Sequence, residues 1–229
     1  MTKIPVMDID FCYKVKVVLP CMSILNHDVM PYGVCTVNAK LIEPLMSDLY
    51  CLEPLVKSHA PGMYAGLSIE GDYKYIPSNP PTSLAELIAR YERISQRHSP
   101  DKREIWLNWV IINRQSGAYL GYVQSTLMVN EGWAYIAYHV FATYQRKGVA
   151  KQCVSMLIDF LFNHYNLSHV DALIDSRNLA SIRLMESLQL KKINELKDAD
   201  FFKGSTSNEC HYRIFNSEWS IKACGDGAD

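Results

Sequence analysis

Val140-Phe141-Ala142-Thr143-Tyr144-Gln145-Arg146-Lys147-Gly148-Val149-Ala150-Lys151 joins a β-rich run on its N-terminal side to a helix-periodic run on its C-terminal side. A helix that begins here exposes about four unpaired backbone N–H groups and roughly half a positive charge. Such an end attracts an anion, provided that side chains leave the amides open. Gly148 and Ala150 keep them open. Arg146, Lys147 and Lys151 add positive charge where the helix dipole disfavours it, and a bound anion would offset that cost. Spacing alone leaves a second reading, a strand-to-helix turn carrying a solvated basic patch.

Outward from the turn, the chain organises itself around it. Downstream, Val149, Val154, Leu157, Ile158, Leu161 and Phe162 form the apolar stripe of a helix over 148–163. A strand over 169–175, a short helix over 180–188 and strands over 191–196 and 209–215 follow. Upstream, the β-rich runs 105–112, 119–129 and 133–141 are separated by Arg114-Gln115-Ser116-Gly117 and Asn130-Glu131-Gly132, the turns of an antiparallel meander. Thr82 or Ser83 caps an amphipathic helix reaching about Gln96, with Leu84, Leu87, Ile88 and Tyr91 on one face. Residues 60–81 hold three glycines and four prolines and read as a loop that helps shape a substrate pocket. Ser47 or Asp48 opens a candidate helix toward His59, and 37–44 reads as a strand ended by proline. The order is that of an α+β fold, a mixed central sheet of about seven strands flanked by about four helices. It is preceded by an N-terminal extension, 1–35, expected to pack on the 36–216 domain, and followed by a tail, 217–229, expected to fray although it holds Trp219.

Composition narrows the class. A chain of 229 residues buries roughly 70–75% of its unfolded surface without disulfide or metal staples. A net charge of −1 gives no whole-molecule attraction to nucleic acid or anionic membrane. No apolar run reaches the ~18 residues of a membrane span, and 1–10 does not resemble a signal peptide. Seven cysteines without a CxxC pair read as reduced thiols, and the seven histidines lack ligand spacing, so no metal is expected. The chain reads as cytoplasmic, a monomer or homodimer.

Gln145-x-x-Gly148-x-Ala150 resembles the Q/R-x-x-G-x-G/A motif of the GNAT N-acetyltransferases, and the order of elements around it is similar to theirs. Asp175-Ser176-Arg177-Asn178-Leu179-Ala180-Ser181 resembles the family's N-x-x-S segment, which contacts the pantetheine arm of coenzyme A. The resemblance spans about 35–215 and implies acetyl-CoA as cosubstrate. It implies a cofactor site at Tyr138, His139, Val140, Gln145, Arg146, Lys147, Gly148, Val149, Ala150, Lys151, Asn178 and Ser181. Within the family the chain is most similar to the Rim branch, which acetylates N-terminal residues of ribosomal proteins. The similarity rests on Ala134-Tyr135-Ile136-Ala137-Tyr138, on Ser181 three residues after Asn178, and on Leu196-Lys197-Asp198-Ala199-Asp200-Phe201. It departs where Rim enzymes show glutamate, at Tyr135, and where they close a helix with Gly-Phe, at Gln189-Leu190.

The implied reaction is attack of a neutral amine on a thioester carbonyl. It needs a proton acceptor, an oxyanion donor and a group to meet the departing sulfur. An α-amine with pKa near ~7.8 is about 14% neutral at pH 7, a lysine side chain only about 0.04%. A protein N-terminus therefore needs the weaker base. The resemblance implies Asp200 as that base, and Ser181 as donor to the sulfur at a place where Met185 replaces the tyrosine common elsewhere in the superfamily. Tyr135 and His139 share a strand face, where either relays protons or packs in the core. A backbone amide near Val140 is the expected oxyanion donor. A small amine, an aminoglycoside or a polyamine bound by Glu70, Asp72 and Glu131, is the alternative acceptor. A catalytically silent acyl-CoA-binding module is the alternative to an enzyme, and a nucleotide-binding protein lacks its Gly-Lys-Ser/Thr ending.

Overall fold

The computed structural model describes residues 43–128 and 130–219. The 1–35 extension and nearly all of the 37–44 strand lie outside the described residues. From Glu43 onward one eight-stranded sheet runs in the order β1-β2-β3-β4-β5-β6-β8-β7. Its strands are β1 (Leu45–Met46), β2 (Tyr50–Pro54), β3 (Glu104–Asn113), β4 (Tyr119–Met128), β5 (Trp133–Val140), β6 (His169–Asp175), β7 (Lys191–Phe202) and β8 (Ser205–Phe215). Every neighbouring pair is antiparallel except β5 with β6. The α-helices are α1 (Ala60–Leu67), α2 (Leu84–Ile94), α3 (Val149–His164) and α4 (Leu179–Ser187). The α+β class thus holds, with eight strands instead of about seven.

The single parallel pairing explains the opening on which the site is built. β5 and β6 are registered only over Trp133, Ala134 and Tyr135 against His169, Val170 and Asp171. Beyond that point the two strands part. Phe141 N–H bonds to the Leu120 carbonyl of β4 at 2.8 Å. Strand residues alternate in direction, so the amides of Tyr138 and Val140 point away from β4, into the gap.

Residues two apart on a strand share a face, and so do lateral partners. One face of the sheet carries α3 and α4, with Trp109, fully buried, meeting Phe160 edge-on at 5.4 Å. All six stripe residues of α3 are buried. The other face carries Tyr135 and His139 and is covered beside β4 by α1 and the 3-10 turn Glu70–Tyr73.

Three expectations are corrected. Instead of a helix from Ser47 or Asp48 to His59, the chain forms β2, because Tyr50 and Leu52 alternate inward against β3, and only Lys57–His59 curl into a 3-10 turn. The 60–81 loop contains α1. Its proline stands in the first turn, where no amide partner is lost. Its glycines serve close packing: a Cβ on Gly62 or Gly66 would come within 2.2 Å of the Tyr119 ring or 2.4 Å of the Phe141 ring. The tail is anchored at its start, where 216–219 turn helically and the buried Trp219 donates to Asp159 at 2.6 Å. Ser83 caps α2 by accepting from Glu86 N–H at 3.1 Å.

Candidate active site

The quoted turn closes the wide end of the gap. Gln145 donates its amide to the Val140 carbonyl at 2.9 Å and pins the turn to the strand it leaves. Arg146 and Gly148 both adopt left-handed φ values, 61° and 81°, on either side of Lys147. Such alternation turns successive N–H groups toward one concavity, a shape that receives anions. Gly148 is the N-cap of α3, and no side chain caps the helix. A Cβ at Gly148 would meet nothing within 4 Å among the described residues, so the cap position itself is open. Arg146, Lys147 and Lys151 are exposed at the same end, and Val149 is buried beneath it. A helix end with no side-chain cap, and with cations that no carboxylate pairs among the described residues, fits a pyrophosphate.

On the helix side of the gap, α4 begins at Asn178, whose side chain accepts from Ser181 N–H at 3.2 Å. The Ser181 hydroxyl is left near the phenol of Tyr138, across the gap on β5. Burial pushes that phenol up to about 12, so it stays protonated at neutral pH. Met185 is fully buried and does not line the opening.

On the opposite face the sheet assembles charge. His139, buried, faces Asp72 at 3.3 Å and lies among Tyr73, Tyr122 and Phe141. Burial lowers its pKa, with Asp72 pulling the other way. Tyr135 packs edge-on against Trp133 at 4.7 Å. Burial, Asp171 and Glu209 together push its phenol up to about 12. Asp171, 1% exposed, accepts from Arg213 twice and pairs with His211, each at 2.7 Å. Burial alone would raise this carboxyl, yet those hydrogen bonds hold it below its ordinary value. Asp175 is likewise raised by burial and lowered more by Arg177 and Ser207. The β7–β8 hairpin reaches over to the 3-10 turn, where Lys203 donates to the carbonyls of Tyr73 and Ser78.

Asp200 stands on β7 opposite Ser207, exposed, and accepts from Phe201 N–H at 2.8 Å. It does not share the buried setting of Tyr135 and His139. Glu70, Asp72 and Glu131 are not assembled into one set: Asp72 faces His139, Glu131 accepts from the Trp133 indole, and Glu70 is exposed. Sequence reasoning passed over Asp171, His211, Arg213 and Glu209. For the last three the signal was the alternation Glu209-Cys210-His211-Tyr212-Arg213, in which carboxylate, imidazole and guanidinium fall on every second residue, as befits one lined face of a strand.

The acetyltransferase (GNAT) domain profile matches residues 50–191. The chain belongs to the GNAT acetyltransferase family. The uncharacterized N-acetyltransferase p20 of Bacillus licheniformis is 30% identical over 89 residues, 39% of this chain and 50% of that protein. The chain thus matches about half the length of this curated relative. Two solved structures share the fold at 18% identity. One is the ribosomal-protein-S5-alanine acetyltransferase of Vibrio fischeri, with a TM-score of 0.67 over 77% of this chain and 98% of that one. The other is the spermidine N-acetyltransferase of Vibrio cholerae in complex with CoA and spermine, with a TM-score of 0.65 over 76% and 99%. No described helix is long and apolar enough to cross a membrane.

Proposed function

We propose that the chain transfers acetyl from acetyl-CoA to the α-amine of a protein or peptide. The observation that carries the reading is the parted β5–β6 pair, whose free amides run toward the uncapped, basic start of α3. The residues that would hold the pyrophosphate are Gln145 to Lys151, and Asn178 positions Ser181 beside the pantetheine arm. The cosubstrate supplies an activated acyl group, and the amine nitrogen attacks its carbonyl directly. The amides of Tyr138 and Val140 are the candidate oxyanion donors, preorganised because the strand already aims them into the gap. The Tyr138–Ser181 hydroxyl pair is the candidate donor to the leaving sulfur, taking over from the tyrosine replaced by Met185. An α-amine is favoured over a polyamine because the carboxylates a polyamine would need, Glu70, Asp72 and Glu131, do not converge.

The test is direct. Acetyl-CoA should raise the melting temperature, and a peptide with a free N-terminal amine should release free thiol, whereas spermidine should release little. Thiol release with spermidine alone would reassign the acceptor. Stabilisation without turnover on any amine would leave only a silent acyl-CoA-binding module.

A further inference from the structure

The proposal above leaves the proton acceptor open, and the carboxylates on the acceptor face can be sorted by what already holds them. Asp72 faces His139. Asp171 is engaged by Arg213 and His211, and Asp175 by Arg177 and Ser207. A carboxylate paired with a guanidinium is held in its charged form and makes a poor proton acceptor. Asp200 is exposed and turned back on its own chain. Glu209 differs from all of these. It lies on β8 directly beside Asp175 of β6, four residues from Arg213. Tyr135, Asp171 and Arg213 are lateral neighbours on one face, so the period of two puts Glu209 on that face as well, level with the parted strands. It is half-buried, and among the described residues no hydrogen bond or ion pair engages its carboxylate.

We propose that Glu209 receives the acceptor: its carboxylate holds the incoming primary ammonium on this face of the gap and takes the proton that must leave before nitrogen attacks. The inference rests on the N-acetyltransferase reading above. The step balances as follows. The ammonium gives one proton to Glu209. The nitrogen lone pair forms the C–N bond, the C–S bond breaks, and the amine's second proton ends on the sulfur through the hydroxyls of Tyr138 and Ser181. Glu209 then returns its proton to solvent. The charged surroundings suit this role. Burial raises the Glu209 pKa, His211 on the same strand lowers it, Asp200 on β7 raises it slightly, and the neighbouring Asp175 is already neutralised by Arg177. From β5, Tyr135 presents a protonated phenol.

The experiment uses the full chain, acetyl-CoA and a short peptide with a free N-terminal amine. Glu209→Gln keeps the shape of the side chain and should lower kcat/KM for the peptide about 100-fold at pH 7. Acetyl-CoA should raise the melting temperature of the variant as much as that of the wild type. The deficit should shrink severalfold by pH 9.5, where solvent alone has deprotonated the peptide amine; a merely structural loss would be the same at both pH values. Glu209→Asp should recover part of the activity. A Glu209→Gln enzyme within threefold of wild type, or one whose deficit does not change with pH, overturns the role of Glu209 alone. A wild-type chain that releases no thiol with any amine overturns the underlying reading and this inference with it.

Discussion

The helix-side rim of the β5–β6 gap and the opposite, acceptor-side rim are assembled from different kinds of sequence. The first comes almost wholly from 138–151 and 178–181, and its working parts are backbone amides, an uncapped helix end and one hydroxyl pair. The second draws on 70–78, 135–139, 171–177 and 200–213, and its working parts are side chains brought together by strand register. An amide-lined anion site depends on backbone shape, so a short motif can carry it intact between proteins. A side-chain-lined cleft can be changed one residue at a time without touching the turn. That is how a recognisable cofactor motif coexists with Tyr135 in place of glutamate and with a helix closed by Gln189-Leu190.

The sharpest way to break the contrast is at Gly148. Gly148→Asp puts a carboxylate over the amides that would receive pyrophosphate. As a helix cap the aspartate contributes about 1 kcal/mol, and its left-handed φ costs a similar amount. The unliganded melting temperature should therefore stay within a few degrees of wild type. Affinity for acetyl-CoA should fall at least about 100-fold, since about 3 kcal/mol separates an attracted from a repelled anion in a partly buried helix-end site. Calorimetric titration reads both quantities, and affinity within threefold of wild type would remove the pyrophosphate from this turn.

The next test stays on the helix-side rim. If Tyr138 and Ser181 act as one donor unit, Tyr138→Phe and Ser181→Ala should each lower kcat about tenfold, and the double variant should be little worse than either. A hundredfold loss in the double variant would show two independent roles. In both single variants the KM for acetyl-CoA should move less than threefold, because neither hydroxyl belongs to the pyrophosphate turn.

The same division explains what could be seen in the sequence. The meander, α3 and α4 were legible because each depends on residues close together, in Gly-containing turns or in a period of 3.6, whereas the Asn178 cap of α4 was read only as a family-like segment. α1 was hidden because Gly62 and Gly66 look like loop residues until the rings of Tyr119 and Phe141, far along the chain, are packed against them. β2 was hidden because its alternation gains meaning only beside β3. Asp200 illustrates the remaining gap. A sequence resemblance marks it as the base, yet burial is not a local property, and the register of β7 on β8 leaves this residue exposed while Glu209 is half-buried.

The acceptor side should also carry the pH response of the fold. Burial lowers the pKa of His139 and of His169, so below their ordinary value near 6.5 the unfolded chain binds more protons than the folded one. Their contribution is complete above about 6.5 and declines as pH falls below it. Glu209, with its raised pKa, acts in the opposite direction. Asp171 and Asp175 lose their stabilising effect only lower, below their ordinary value of 3.8. Urea unfolding at pH 7.5 and 5.5 should show a loss on acidification that His139→Gln makes smaller. An unchanged slope would mean that the His139–Asp72 contact does not titrate with the fold.

The smallest effect concerns the departure at the end of α4. Gln189 follows the last turn with φ 66°, the left-handed conformation that glycine adopts at least cost, and Leu190 behind it is 3% exposed. Gln189 thus holds a backbone shape for which glycine is better suited. Gln189→Gly relieves the left-handed strain but also loosens the unfolded chain, and the two partly offset. A net gain of about 0.5–1 kcal/mol is expected, read as a higher denaturation midpoint, with kcat, both KM values and the acetyl-CoA affinity unchanged. A change in amine KM without a change in stability would place this corner of the fold on the acceptor side of the comparison, where its position behind α4 gives no reason to expect it.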